Sequence, residues 1–299
     1  MSAIEGVSAG SKTSEGIVEL VPDKVYALQN PFALDGRISS YPDSARGYSV
    51  SNVYLVKEET GAYILDTGFA AHEGRILGQL GSLLDTTTPI SLVPLRINEY
   101  MSVGNGIAIA DNFNVIHCYS PQPNAADWLE FDLPESGKAG RDLPTTVLRG
   151  RLDLAVGTKG KRPLVGFTAP LRLINTTWVY DPTTRTLFSS DMFTHVWQKT
   201  ADGPWLIDDD DGVTTTDFVR SFLLNTRYWW LEGATTETLR QGVADVFEQC
   251  DIETIAPGYG AILRGRSLVE KQFAVLDQVL RDLDRSVVKP DYVPRGLER

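Results

Sequence analysis

Apolar positions along this chain change their period as the sequence proceeds. Residues 17–28 (IVELVPDKVYAL) and 48–56 (YSVSNVYLV) are rich in β-branched and aromatic side chains with partial two-residue alternation, which predicts strands. Residues 62–66 (AYILD) form an apolar strand that ends on an acid, and 90–95 (ISLVPL) and 115–119 are further short apolar runs of strand length. Between them, 72–84 (HEGRILGQLGSLL) has helical spacing weakened by three glycines, and 104–112 predicts a short helix.

From 121 to 163 the chain is rich in Pro, Gly and charge, and no element is assigned there. A second β-rich stretch covers 164–190, with Asp181-Pro182-Thr183-Thr184 between two apolar runs as a hairpin turn. After Asp208-Asp209-Asp210-Asp211, read as a solvated loop rather than a cation site, the pattern turns helical. Residues 217–231 are aromatic-rich, and 237–250 place Leu239, Val243, Val246, Phe247 and Cys250 on one face. The last helix is the clearest: Ser267 with Glu270 reads as a capping box, and Val269, Phe273, Leu276, Leu280 and Leu283 recur at three and four residues. No repeat at a fixed period occurs. The segmentation is an N-terminal flexible stretch 1–16, one domain over 17–285, and a polar tail 286–299.

Composition narrows the class. With 299 residues, 42% hydrophobic and 22% charged, the chain has ample material for a globular core. A formal net charge of -11 argues against nucleic acid or an anionic membrane surface as partner, because both need clustered Lys and Arg. No apolar run approaches the roughly 18–20 residues of a membrane span, and 1–16 holds no signal-like stretch. Cys118 and Cys250 allow one disulfide at most and read as free buried thiols of a reducing compartment, so a cytoplasmic location is expected.

Three phrases carry the chemistry: Ile64-Leu65-Asp66-Thr67-Gly68, then Leu187-Phe188-Ser189-Ser190-Asp191, then Ile255-Ala256-Pro257-Gly258-Tyr259-Gly260. In that order and spacing they resemble the metallo-β-lactamase superfamily, and most closely the diiron domain of flavodiiron proteins. The resemblance covers roughly residues 17–285 and implies an α/β four-layer αββα sandwich. It also implies a dinuclear site, for which several imidazoles beside bridging carboxylates are needed. This chain has three histidines, His72, His117 and His195. Laid over the family's first His-rich loop, the ligand positions fall on Arg96, Asn98, Tyr100 and Met101. The next histidine falls on Arg172, counting back from Tyr180, and the last on Tyr259. Asp191 keeps the bridging position and Asp66 a structural one; both are vestigial, and no metal or other cofactor is expected in this chain.

Losing two dications would strand buried carboxylates at 66 and 191, which is costly. Arg96 and Arg172 are expected to supply fixed positive charge there, with Tyr100 and Tyr259 donating hydrogen bonds. The arrangement reads either as a salt-bridged plug in a dead site, as a metal-free pocket for an anionic or nitro-bearing ligand, or as a relocated metal site using Asp66, Glu99, Asp191 and His195. His195 reads as a general base or as a hydrogen-bonded structural group. The aromatic run Arg227-Tyr228-Trp229-Trp230-Leu231, with Trp197 and Trp205, reads as a packed helix, an oligomer contact or a pocket wall.

Two functions follow. The first is a degenerate, non-catalytic subunit that supports a metal-bearing paralogous hydrolase in a hetero-oligomer, with zinc or iron held by the partner and an ester, lactone, lactam or activated aryl ether as substrate. The second is a metal-independent enzyme or small-molecule-binding protein with an Arg/Tyr-lined pocket. No Gly-x-Ser-x-Gly elbow supplies a nucleophile for it, and neither cysteine has a sequence partner that activates it.

Overall fold

Strands whose two alternating faces are both apolar must be covered on both sides. The computed structural model, which describes residues 12–14, 16–131, 142–157, 162–287 and 293–297, meets that demand with two facing sheets. The first holds eight strands in sequence order: β1 (Lys12–Ser14), β2 (Ile17–Val21), β3 (Val25–Ala33), β4 (Tyr48–Glu58), β5 (Gly61–Leu65), β6 (Ile90–Val93), β7 (Val115–Ser120) and β8 (Thr145–Val147). Pairing is antiparallel through β5 and parallel from β5 to β8. The helices α1 (Glu73–Gly81), α2 (Tyr100–Val103), α3 (Gly106–Asn112) and α4 (Ala125–Trp128) lie in the connections of this half.

The second sheet contains β9 (Leu152–Ala155), β10 (Pro163–Thr168), β11 (Thr177–Asp181), β12 (Thr186–Ser190), β13 (Leu206–Ile207), β14 (Thr254–Pro257) and β15 (Ile262–Arg264). Their spatial order is β13-β15-β14-β12-β11-β10-β9. The helices α5 (Thr216–Leu224), α6 (Glu237–Gln249) and α7 (Arg266–Leu283) belong to this half.

Strand alternation sorts the core into three apolar layers between four layers of structure. Val53 and Leu55 of β4 pack with Ile76, Leu80 and Ile109 of the first helical layer. Tyr54 and Val56, one residue out of phase, face the other sheet and pack with Phe188, Ala256 and Ile262. On the far side, Trp178, Tyr180, Leu187 and Ile255 meet Phe222, Val243, Phe273 and Leu276 of α5, α6 and α7. This is the αββα sandwich. Cys118 and Cys250 are free and buried, and among the described residues no helix is long and apolar enough to cross a membrane.

Several local expectations are corrected. The helix expected over 217–231 stops at Leu224; Thr215 caps its start by accepting from the Phe218 N–H at 3.2 Å, and Trp229–Leu231 form a separate 3-10 turn. Ser267 and Glu270 make no capping box. The helix begins at Arg266 with Gly265 at the N-cap (φ 114°), and Glu270 instead pairs with Arg266 at 2.8 Å. The unassigned stretch 121–163 supplies α4, β8 and β9, with 132–141 and 158–161 outside the described residues.

The ends differ from the expected loose segments where they are described. Residues 1–11 and 15 lie outside the described residues, but Lys12–Ser14 pairs with β2. In the expected tail, the Val293 N–H donates to Ser221 Oγ at 2.8 Å, and Arg295 lies 4.6 Å over the Trp197 ring. The acidic run is only partly a solvated loop. Asp208 and Asp210 pair with Arg264 and Lys271, while the buried Asp211 carboxylate accepts from the Val213 and Thr214 N–H groups, Thr214 Oγ1 and Gln272 Nε2.

Candidate functional site

The site begins where β5 ends. Asp66 takes a left-handed conformation (φ 59°), and its Oδ1 accepts from the Leu95 N–H at 2.8 Å, tying β5 to the segment after β6. Gly68 (φ 75°) has no room for a side chain, since an added Cβ would lie 2.5 Å from Ile76 Cδ1. The Asn105 amide closes the turn by donating to the Thr67, Gly68 and Phe69 carbonyls at 2.7, 3.2 and 3.1 Å. Asp66 is thereby removed from water. Burial pushes its carboxyl up to about 7, outweighing the lowering effects of the Ser102 hydroxyl, the Leu95 N–H and Arg96.

From that turn the chain leads to Arg96, whose guanidinium is fully buried between two acids. Its Nη1 lies 3.3 Å from Asp191 Oδ2 and its Nη2 lies 3.4 Å from Glu99 Oε1. Burial works against its charge, but Asp191 and Glu99 more than offset that and hold it above its ordinary value. Asp191 follows β12 and also accepts from Tyr228 Oη at 2.8 Å. Glu99 accepts from Tyr259 Oη at 3.2 Å and pairs with Arg227 Nη1 at 2.5 Å, while Arg227 Nη2 donates to Ser39 Oγ at 3.1 Å. Each of these two carboxylates is therefore held by a guanidinium and a phenol. Burial pushes both phenols well above their ordinary range, and the neighbouring Asp191 and Glu99 charges add to it.

Backbone contacts across the two sheets fix Tyr259. The Gly258 N–H donates to the Ser190 carbonyl at 2.6 Å, and the Asn52 N–H donates to the Gly258 carbonyl at 2.9 Å. Asn52 Nδ2 donates to the Pro257 and Gly260 carbonyls at 2.8 and 3.0 Å, and Tyr54 Oη donates to Pro257 at 2.7 Å. The sequence folds this way locally because Gly260 adopts φ 75°, turning the chain between β14 and β15.

The structure brings Arg96, Glu99, Asp191 and Tyr259 together, with Asp66 behind them, and leaves other expected members outside. Arg172 is exposed and donates to the Ala169 carbonyl at 2.6 Å. Counting back from Tyr180 placed it just ahead of the strand, where it lies, but Ala169 and Thr176 close the loop there by a 2.9 Å backbone bond, and that loop carries Arg172 to the surface. Arg227 and Tyr228 take up the expected second-cation and donor roles; the aromatic run signalled that segment without assigning it to the acids. Asn98 is exposed and accepts from Gln122 Nε2 at 2.8 Å. Tyr100 is 77% exposed and donates to neither carboxylate, while Met101 is buried.

His195 sits on the helical side of the second sheet. Its Nε2 lies 2.7 Å from Thr214 Oγ1, and its ring packs against Phe218 and Phe222. Burial pushes its pKa down to about 4, so the imidazole is neutral at neutral pH. Thr214 is itself bound to Asp211 and Gln272, which makes His195 one member of a buried hydrogen-bond network.

The donor set does not fit a dinuclear metal centre. A guanidinium stands between the two carboxylates, and the phenols beside them are held protonated by burial. Among the described residues no group of three or more His, Cys, Asp or Glu is placed to hold a metal ion. Above this cluster lies an open cleft of about 280 Å³ whose walls include Arg37, Phe69, Asn98, Tyr100, Arg227 and Tyr259.

No family model and no curated protein matches the sequence. Solved structures do. Rubredoxin:oxygen oxidoreductase from Desulfovibrio gigas aligns with TM-score 0.65 and 18% identity over 88% of this chain and 60% of its own. The flavodiiron protein from Giardia intestinalis aligns with TM-score 0.62 and 15% identity over 93% of this chain and 61% of its own. A fragment of a putative diflavin flavoprotein from Nostoc sp. aligns with TM-score 0.62 and 15% identity over 89% of this chain and 96% of the fragment. The chain thus spans about 60% of the length of the first two, and the likeness shows the fold: the metallo-β-lactamase-like sandwich of flavodiiron proteins.

Proposed function

We propose that this chain is a non-catalytic member of a hydrolase assembly, carrying the sandwich without its metal chemistry and supporting a metal-bearing relative of the same fold. One observation carries the reading: the Arg96 guanidinium lies 3.3 Å from Asp191 and 3.4 Å from Glu99, fully buried, at a position that the sequence resemblance assigns to a metal ligand. A fixed organic cation satisfies the acids without offering a Lewis acid or a bound hydroxide. The substrate of such an assembly would be an ester, lactone or activated aryl ether, attacked in the partner. Trp229, 66% exposed, supports the assembly half of the reading, since exposed Trp is the residue type that most often anchors an interface.

The test is expression of the chain alone and beside gene neighbours of the same fold that retain the His-rich loop. Co-purification at a fixed ratio, with metal in the partner and hydrolysis only in the pair, is the expected result. A metal-free monomer that turns over a substrate unaided would overturn it.

A further inference from the structure

The geometry points to a binding site for an uncharged aromatic molecule with an acceptor oxygen in the cleft above the Arg96 cluster. It goes beyond the assembly role, because it concerns what this chain itself can hold.

The cleft has the parts such a ligand requires. Its inner wall is aromatic: Phe69 and Tyr259 sit with ring centroids 5.9 Å apart at an interplanar angle of 33°, and Phe32 buttresses both edge-on at 5.5 and 6.2 Å. Tyr100 stands on the rim, 77% exposed. Tyr259 itself is buried behind Phe69, so a flat ring entering beside Tyr100 would bury aromatic surface against Phe69, held in place by Tyr259 and Phe32. The volume of about 280 Å³ accommodates one or two fused rings.

Polar groups at the mouth define the rest. Asp35 accepts from the Arg37 Nε at 2.7 Å and from the Arg37 backbone N–H at 3.2 Å, while the Arg37 side chain remains 84% exposed. Arg37 is thus held by one edge, and its terminal nitrogens are donors for an oxygen on the bound ring. Charge selects a neutral ligand over an acid. Glu99 lies in the same wall, held by Arg96, Arg227 and Tyr259, and Arg37 is matched by Asp35. An incoming carboxylate would find no uncompensated positive charge and would stand beside Glu99, in a chain of net charge -11.

The experiment titrates the full chain with 2-acetylnaphthalene, with 2-naphthoate as the charged control, and follows protein NMR shifts. Saturable one-site binding of the ketone, at least tenfold weaker for the acid, is expected. Tyr100→Ala and Arg37→Ala alter only exposed side chains, so both should keep the wild-type spectrum elsewhere and each should weaken binding about tenfold or more. Absence of saturation up to the solubility limit, equal binding of the acid, or affinity unchanged in both variants would overturn the proposal.

Discussion

Arg96 and Asp191 come from different sheets, 95 positions apart, and meet at 3.3 Å with both side chains only 2% exposed. An ion pair so enclosed is weak evidence of net stability but strong evidence of dependence, because removing one partner strands the other. Arg96→Met is therefore expected to destabilise the fold by about 3–5 kcal/mol, read from denaturant midpoints. Arg96→Met combined with Asp191→Leu should recover much of that loss. A double variant no better than the single one would show that the pair is not what the site depends on.

Arg227 and Arg172 offer a direct contrast. Arg227 is enclosed and pairs with Glu99, whereas Arg172 is exposed on its loop. Arg227→Ala should cost about 2 kcal/mol or more, and Arg172→Ala should stay within about 0.5 kcal/mol. Equal effects in thermal unfolding would contradict the placement of both.

Asp66 carries the pH dependence. Two guanidinium groups, Arg96 and Arg227, face three carboxylates, Asp66, Glu99 and Asp191, so the cluster is neutral when Asp66 holds a proton. Its folded pKa of about 7 lies above the unfolded value of 3.8. The folded state then binds the extra proton, and the contribution of Asp66 to stability is full below the unfolded value and lost as pH rises through 7. Asp66→Asn, which mimics the protonated acid, should gain on wild type steadily between pH 4 and 7, at roughly 1.4 kcal/mol per unit of pKa displacement as an upper bound. A difference that stays flat over this range would refute it.

His195 acts with the opposite sign. Its folded pKa near 4 lies below the ordinary 6.5, so the unfolded chain binds the proton first and stability falls as pH drops from 6.5 toward 4. His195→Gln should weaken that acid sensitivity in urea unfolding measured at pH 4.5 and 7, and an unchanged slope would exclude His195 as its source.

Metal analysis tests the cluster chemically. Purified chain incubated with zinc, iron or manganese and then desalted should retain far less than one equivalent, because Arg96 occupies the space between the acids. Near-stoichiometric metal that disappears in Asp191→Ala would defeat the charge-replacement account.

Much of this was legible locally. Asp66-Thr67-Gly68, the strand ending in Asp191, and the Pro257–Gly260 turn each declare themselves within a few residues, because the backbone there needs an acid, a glycine or a tight turn. Arg96 was legible only through the family resemblance, by laying the loop after the strand 90–95 over the family's His-rich motif. Arg227 and Tyr228 were not, since they reach the acids from a loop between α5 and the 3-10 turn, and no local period reports a contact 128 positions away from Glu99. Arg172 misled for the complementary reason: counting back from Tyr180 places a residue ahead of the strand, but not which way the loop between Ala169 and Thr176 turns it. Ser267 had the composition of a cap, yet Gly265 ends the preceding strand connection two residues earlier and takes the cap position.

The Asn52 and Tyr54 bonds to the Pro257 carbonyl bear on how the molecule is made. They span 205 and 203 positions, and through Gly258 they seat Tyr259 over Glu99. During synthesis Glu99, Asn52 and Tyr54 must wait for these partners until residues 257–259 have emerged, more than 150 positions after Glu99. Closing so long a loop comes before any reward from the contacts it makes, which sets a slow folding nucleus and a long interval of exposed apolar strands.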